Sequence, residues 1–519
     1  MKARSPSILL AALFAVGACS HAPPPPRVTH NLDAEALEIA VRWPAPAVPV
    51  VMALVNQYTA TGRNHDGEAT FCELARAVPE RPLFGAVCAM FRVRQAPAVP
   101  LLRRVAWVES AMTELDRAAA TDGLARYLRG VVAARLPARF GRAPQAIADL
   151  TWMLAHAAQF PPGLQRGAWA GLAAAHRTLG HEDEALAAAR HTGGEELVAD
   201  GSVSPETGFR FGPPALLNPA PDVYVATGYD FGDIAFVVTG EGVVMIDAGT
   251  TPATAAAALA AFRAVDRRPI HTIIITHAHW DHIGGLPAFL PQHPRVIARS
   301  DYAGELARVN GAGVPFQDFF GQHAARRYEL SPDHLVSHAE TITVGGKRFS
   351  LLPVRGGETD DALFVHLPDQ GVLFVGDAFM PYFGSPGLAE GSPDGLLQAV
   401  AAVEALHPRV MLHGHAPLTQ NFPSRVLPAL AAAVRVVQGE TERALRDGRP
   451  LVEVLQRNLM PPSLAGAPDA VLPFLLMRDN LIKRDYNQQT GYWKSDGEGM
   501  AVFSSAEWGA AVDLVAGGD

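Results

Sequence analysis

Four side chains able to bind a metal fall within six residues of the segment Thr276-His277-Ala278-His279-Trp280-Asp281-His282-Ile283-Gly284-Gly285. Imidazole nitrogens and carboxylate oxygens are donors that Zn²⁺ accepts. His277, His279, Asp281 and His282 come directly after the apolar run 271–276, which reads as a strand. A strand end holds such side chains rigidly, and the turn after it aims them at one point. The chemistry this predicts is metal-assisted hydrolysis, in which a bound cation lowers the pKa of water and polarises a scissile bond. No side-chain nucleophile is called for. The 519 residues contain no Gly-x-Ser-x-Gly elbow, no P-loop and no nucleotide fingerprint in a strand–helix context.

The stretch HAHWDHIGG resembles the motif of the metallo-β-lactamase superfamily, and the resemblance extends over about residues 220–422. It implies an α/β fold, an αββα sandwich with metals at the rim between its sheets. The flanking pieces come in the family's order, most of them directly after an apolar strand. Asp247, in Ile246-Asp247-Ala248-Gly249, corresponds to an aspartate that orients a ligand loop by hydrogen bonds. Asp377, in Phe374-Val375-Gly376-Asp377, corresponds to the carboxylate that bridges both metals. His415, in Met411-Leu412-His413-Gly414-His415, corresponds to the last histidine; His413 is its competitor and otherwise a support behind the ligands. Where the family usually has Gly-His-Thr, this chain reads Gly356-Gly357-Glu358-Thr359-Asp360. Glu358 takes the histidine's place, with Asp360 and Asp361 as neighbouring alternatives. A carboxylate there resembles the alkylsulfatase branch, although that branch usually carries glutamate where Asp377 stands.

The implied centre holds two Zn²⁺ or other divalent ions. One has His277, His279 and Glu358, the other Asp281, His282 and His415, and Asp377 and a hydroxide bridge them. The charges of two dications are then balanced by Asp281, Asp377, Glu358 and hydroxide, whereas a histidine in place of Glu358 would leave one positive charge over. The bridging hydroxide becomes a stronger base, and its parent water harder to deprotonate. Asp281 is also the implied catalytic carboxylate, taking a proton from the nucleophile or passing one to the leaving group. The superfamily cleaves lactams, lactones, thioesters, phosphoesters and sulfate esters, so fold does not name the small-molecule substrate. Glu358 puts an alkyl sulfate first, ahead of a lactonase, thioesterase or β-lactamase-like activity. A non-catalytic envelope scaffold with a vestigial metal domain is disfavoured, because such a site has no physical reason to keep seven converging donors.

The elements that must position these residues are legible as changes of period. Residues 48–197 are Ala/Leu/Arg-rich with helical spacing. Gly141-x4-Ala146-Ile147 and Gly180-x4-Ala185-Leu186 recur after amphipathic stretches at 124–136 and 164–179, which predicts tetratricopeptide-like helix pairs or an ordinary bundle. Residues 198–219, rich in Gly, Pro and Ser, read as a linker. Residues 220–422 then carry short β-branched runs at 234–238, 243–246, 272–276, 341–344, 349–354, 363–367, 372–375 and 410–412. Helical patterns intervene at 253–265 and 395–406, and hairpin turns stand at Gly345-Gly346 and Asp369-Gln370-Gly371. Residues 423–519 return to helix. There Arg478-Asp479-Asn480 and the aromatic end 486–493 resemble the dimerisation region of the alkylsulfatase branch, so a homodimer is expected.

At the amino terminus Lys2 and Arg4 precede an apolar run at 8–16, too short to cross a bilayer and right for a secretory signal over residues 1–18. It ends in Val16-Gly17-Ala18-Cys19, which resembles a lipobox, so Cys19 is the expected lipidation site, and Ser20 favours the periplasmic face of the outer membrane. Residues 19–47, with Pro23 to Pro26, read as a stiff tether. Cys72 and Cys88 can close a disulfide in an oxidising compartment or remain two buried thiols, because spacing alone does not fix the geometry. The formal charge of −9, which becomes −11 once Lys2 and Arg4 are lost, argues against nucleic acid or an anionic membrane surface as the main partner. The membrane is expected to be met through the lipid anchor, and the helical region is free to bind a protein partner.

Overall fold

The structure, a computed structural model, describes residues 34–160, 164–191, 201–204, 208–311, 327–380 and 391–490. Cys19, the signal segment, Pro23 to Pro26 and Trp493 lie outside the described residues. Among those described, nine α-helices precede the first strand: α1 (Ala34–Val41), α2 (Val48–Ala60), α3 (Asn64–Ala77), α4 (Pro82–Arg94), α5 (Leu101–Ala119), α6 (Gly123–Ala133), α7 (Ala143–Ala155), α8 (Leu164–Leu179) and α9 (Glu182–Arg190). Proline opens α2, α4 and α7, where a missing N–H costs nothing. Asp122 caps α6 by accepting from the amides of Leu124 and Ala125 at 2.8 Å. The recurring Gly141 and Gly180 both adopt left-handed φ, +65° and +76°, just ahead of α7 and α9. The repeat therefore marks turns that return one helix along the next.

Two expectations are corrected. Within the segment read as a tether, α1 is an amphipathic helix whose Ala36, Leu37, Ala40 and Val41 are buried. Its four apolar contacts outweigh the proline-rich composition on either side. The segment read as a linker contains strand β1 (Gly201–Ser204) paired antiparallel with β2 (Gly208–Phe211), and then β3 (Ala215–Ala220). Pro219 is tolerated in β3 because that strand is an edge and its register with the next strand shifts between Leu217 and Ala220.

Two sheets follow. The first has seven strands in sequential order, β3, β4 (Val223–Thr227), β5 (Ile234–Thr239), β6 (Gly242–Ile246), β7 (Ile270–Ile274), β8 (Arg295–Arg299) and β9 (His334–Val336). The second runs β10 (Glu340–Val344), β11 (Lys347–Pro353), β12 (Leu363–Leu367), β13 (Val372–Phe374) and β14 (Val410–Leu412). Gly345 and Gly346, both at positive φ, turn β10 into β11. Strand alternation explains the layering. Leu363, Val365 and Leu367 of β12 join Val244 and Ile246 of β6 in the core between the sheets. Phe364 faces the opposite way, into the helices α13 (Pro393–Leu406), α15 (Leu427–Arg446) and α17 (Val471–Thr490). Val243 and Met245 of β6 likewise face α10 (Pro252–Phe262) and α12 (Tyr302–Gly311). The result is the expected α/β sandwich of four layers. The amino-terminal helices belong to the same continuous core as α13, α15 and α17, and α2 packs on α17.

Parallel pairing decides where chemistry can gather. β6 runs parallel to β7, and β13 parallel to β14. Parallel neighbours end on the same edge, so the residues after each strand converge there. Those residues are Asp247, His277, Asp377 and His415.

Cys72 and Cys88 form a disulfide between α3 and α4, with Cα atoms 4.9 Å apart. Protein purified without reductant is expected to leave both cysteines unlabelled by an alkylating reagent. The double variant Cys72→Ser/Cys88→Ser is expected to lose about 2–5 kcal/mol of stability in denaturant titration. Full alkylation of the untreated protein would contradict the bridge.

Candidate metal centre

The His-Asp-His loop is shaped by a short helix, α11 (Trp280–Ile283), that starts immediately after β7 and its His277-Ala278-His279 turn. One turn of helix puts Asp281 and His282 beside each other facing the sheet edge. The two glycines that follow let this loop lie against the Asp247 loop: a Cβ on Gly285 would come 2.0 Å from the carbonyl oxygen of Ala248. The glycine of His413-Gly414-His415 has the same role, since its Cβ would meet Asp377 Oδ1 and His282 Cε1 at 2.4 Å.

Seven buried donors assemble in two groups, His277, His279 and Glu358 in one, Asp281, His282, Asp377 and His415 in the other, with the donor atoms of each group within 4.8 Å of one another. Glu358 Oε2 lies 3.7 Å from His277 Nε2, and its Oε1 lies 3.6 Å from His279 Nδ1. In the second group Asp281 Oδ2 is 3.3 Å from His282 Nε2 and 3.2 Å from His415 Nε2. Asp377 Oδ2 is 3.3 Å and 2.9 Å from the same two nitrogens.

The other ring nitrogens are already committed, which fixes the tautomers. His282 Nδ1–H donates to Asp247 Oδ2 at 3.0 Å. His415 Nδ1–H donates to the Phe231 carbonyl at 2.8 Å. The Thr276 hydroxyl donates to Asp247 Oδ2 at 2.7 Å, so it accepts from His277 Nδ1 at 3.0 Å. Each Nε2 is thereby the nitrogen turned to the cluster, and on His282 and His415 its proton is the one a cation would displace. His277 Nε2, His282 Nε2, Glu358 Oε2 and Asp377 Oδ1 are buried with no hydrogen-bond partner. Orphaned donors of these chemical types, facing one another, fit divalent cations.

Electrostatics give the same answer. Burial pushes the Glu358 carboxyl well above its usual range, and the charges of Asp377 and Asp281 push it further. Burial works against charge on His282 and His415 too, yet the surrounding aspartates outweigh it and hold both imidazoles well above normal. His277 is held well below by burial and its histidine neighbours, which outweigh the pull of Asp377 and Asp281. The protein alone thus balances its carboxylates with protons borrowed by histidines, a role that cations take over more effectively.

The neighbouring acids are spent elsewhere. Asp361 is buried and accepts from the Ala278 amide at 2.9 Å, holding the loop between two ligands. Asp360 pairs with Arg355 at 3.3 Å near the surface. His413 lies behind the cluster: its Nε2 meets the Phe422 carbonyl at 3.0 Å, and burial lowers its pKa to about 4. Asp247 follows β6 at left-handed φ, 58°, and also accepts from the Thr276 amide at 2.8 Å. Two residues were not anticipated. Asp230 accepts from the amides of Phe231, Thr250 and Thr251, tying the Phe231 loop to the Asp247 loop. Asp233, whose amide donates to the Gly414 carbonyl at 2.7 Å, is buried beside the second group. The signal for both was present: two acids in the otherwise apolar run Tyr229-Asp230-Phe231-Gly232-Asp233-Ile234.

Known proteins were compared with this chain. A linear primary-alkylsulfatase from Pseudomonas sp. is 21% identical over 314 residues, 54% of this chain and 59% of the relative. The chain thus spans about three fifths of that relative's length. A hydroxyacylglutathione hydrolase from Ruegeria pomeroyi is 26% identical over 240 residues, 45% of this chain and 80% of the relative. Among solved structures, an inverting sec-alkylsulfatase from Pseudomonas sp. aligns with 59% of this chain and 55% of its own, at 19% identity and a TM-score of 0.44. Residues 227–415 match the metallo-beta-lactamase superfamily, a span that holds all seven donors and Asp247. This stretch of the chain is a metallo-β-lactamase superfamily domain.

Proposed function

We propose that the protein is a metal-dependent hydrolase of small-molecule esters, with an alkyl sulfate as the preferred class and two divalent cations, zinc first, as cofactors. The observation that carries the sulfate reading is Glu358, whose two oxygens lie 3.6 and 3.7 Å from His279 and His277. Divalent cations bound there supply hydroxide from water at neutral pH and polarise the scissile bond. His277, His279 and Glu358 would hold one ion, and Asp281, His282, Asp377 and His415 the other. Two dications would be balanced by Asp281, Asp377, Glu358 and the hydroxide, so the loaded centre would carry no net negative charge to repel a sulfate monoester. Burial opposes the charge on Asp281, but His282 and His415 outweigh it and keep the carboxyl below its usual range. Asp281 is therefore ionised, and would accept a hydrogen bond that orients the attacking water.

A thioester is the second reading, favoured by the hydroxyacylglutathione hydrolase whose length is 80% covered. The location is part of the proposal as well: Cys19 carries lipid and tethers the domain to the envelope membrane, on the periplasmic face of the outer membrane.

Purified protein is expected to cleave a medium-chain alkyl sulfate with higher kcat/KM than a thioester or lactone, to lose the activity to a chelator and to regain it with Zn²⁺. A thioester preferred over every sulfate would reverse the order of the two readings. Glu358→Ala is expected to lose about one metal per chain, and more activity than the about 10–100-fold typical of an outer hydrogen-bond partner. Glu358→His should keep two metals and move the acid limb of the pH–rate profile downward, because one added positive charge eases ionisation of water. Two metals at full occupancy in Glu358→Ala would remove Glu358 from the ligand set. Cells fed labelled fatty acid should label the native protein but not Cys19→Ser.

A further inference from the structure

The two most exposed large apolar side chains among the described residues are neighbours at the start of α5, with a third one turn further on. Leu102 is 98% exposed, Leu101 73% and Val105 50%. Pro97, Ala98, Pro100 and Ala106 beside them are exposed as well. Such a contiguous apolar knuckle on a described surface calls for an occupant. It is held firmly rather than left loose: the Arg104 guanidinium donates to the carbonyls of Pro97 at 2.9 Å and Val99 at 3.1 Å, clamping the loop onto its own helix.

The charge around the knuckle is the reverse of the chain's average. Residues 81–142 hold eleven arginines against four acids, a surplus of seven in a protein of net charge −9. Arg92, Arg129 and Arg142 are neutralised in ion pairs with Glu114, Asp116 and Glu109. Arg94, Arg103 and Arg135 are exposed and, among the described residues, form no ion pair. Arg94 and Arg135 lie close enough for each to feel the other's charge.

We propose that this knuckle docks on an anionic phospholipid surface, with Leu101, Leu102 and Val105 entering the headgroup–acyl boundary and Arg94, Arg103 and Arg135 at the level of the phosphates. Leucines backed by arginines suit that boundary, since long cationic side chains keep their heads at the polar layer while their stems lie in apolar surroundings. A second copy of the chain suits it poorly, because a two-fold contact would set these arginines against their own images. Glu38 of α1 pairs with Arg63 at 3.3 Å, and the next residue, Asn64, accepts from Arg94 at 2.9 Å, so Arg94 is held in place through α3. The knuckle's own affinity does not depend on the anchor proposed at Cys19.

The test uses protein that begins at Ser20, which keeps every described residue and lacks the lipid. Co-sedimentation with vesicles of phosphatidylcholine alone or with added phosphatidylglycerol is measured at low and high salt. Binding is expected to the anionic vesicles and to weaken with salt. Leu101→Asp/Leu102→Asp should lower it by at least about ten-fold, and Arg94→Ser/Arg103→Ser by about five-fold per arginine. Hydrolase activity and helix content should stay unchanged, because these side chains lie on the surface. Absence of binding at low salt overturns the proposal, as does undiminished binding by the leucine variant. A dimer in solution that the leucine variant dissolves, with no vesicle binding, gives the surface to a second copy and overturns it too. Loss of Cys19 labelling alone would remove the anchor and leave this result standing.

Discussion

Burying Asp281, Asp377 and Glu358 with four imidazoles takes water from seven groups that each prefer it, and the cluster is stable only where opposite charge replaces the water. Within the chain that charge comes from histidines, and His282 and His415 are drawn far above their ordinary pKa. Dications satisfy all seven donors at once. The rest of the domain can be understood as what holds those donors together against their mutual repulsion.

Two kinds of support do this. Strands deliver most of the backbone: the parallel pairs β6–β7 and β13–β14 end on one edge, so His277, Asp377 and His415 follow their strands closely, while Glu358 stands in the loop between β11 and β12. Carboxylates that bind no metal fix the loops that remain. Asp247 joins the β6 end, Thr276 and His282; Asp361 holds the Ala278 amide; Asp230 joins the Phe231 and Thr250 loops. The Phe231 carbonyl in turn accepts a hydrogen bond from His415 Nδ1–H. Removing one such carboxylate therefore disturbs a ligand without touching a metal, and a loose ligand costs affinity and rate together.

Glu358 gives the centre its particular character. Its carboxylate would lower the positive charge that bound cations have available to polarise water.

The sequence by itself determined the elements with a period and the ligands with a spacing. Residues 164–179 and 363–367 read as a helix and a strand and are so bounded, because each has an uninterrupted apolar pattern that only one period satisfies. His277, His279, Asp281 and His282 were legible because four donors in six residues have few other physical uses. Composition misled where local contacts decide. The tether hid α1, whose burial depends on α2 and α3, and the linker hid β3, whose partner β4 is supplied by the fold. Tertiary structure alone chose Glu358 over Asp360 and Asp361, since three acids within four residues differ only in which way each side chain leaves its turn. It also chose His415 over His413 for the cluster, by placing Asp377 and the Phe231 carbonyl on either side of one ring and the Phe422 carbonyl against the other. Such choices rest on partners that are distant in sequence, and no spacing encodes them.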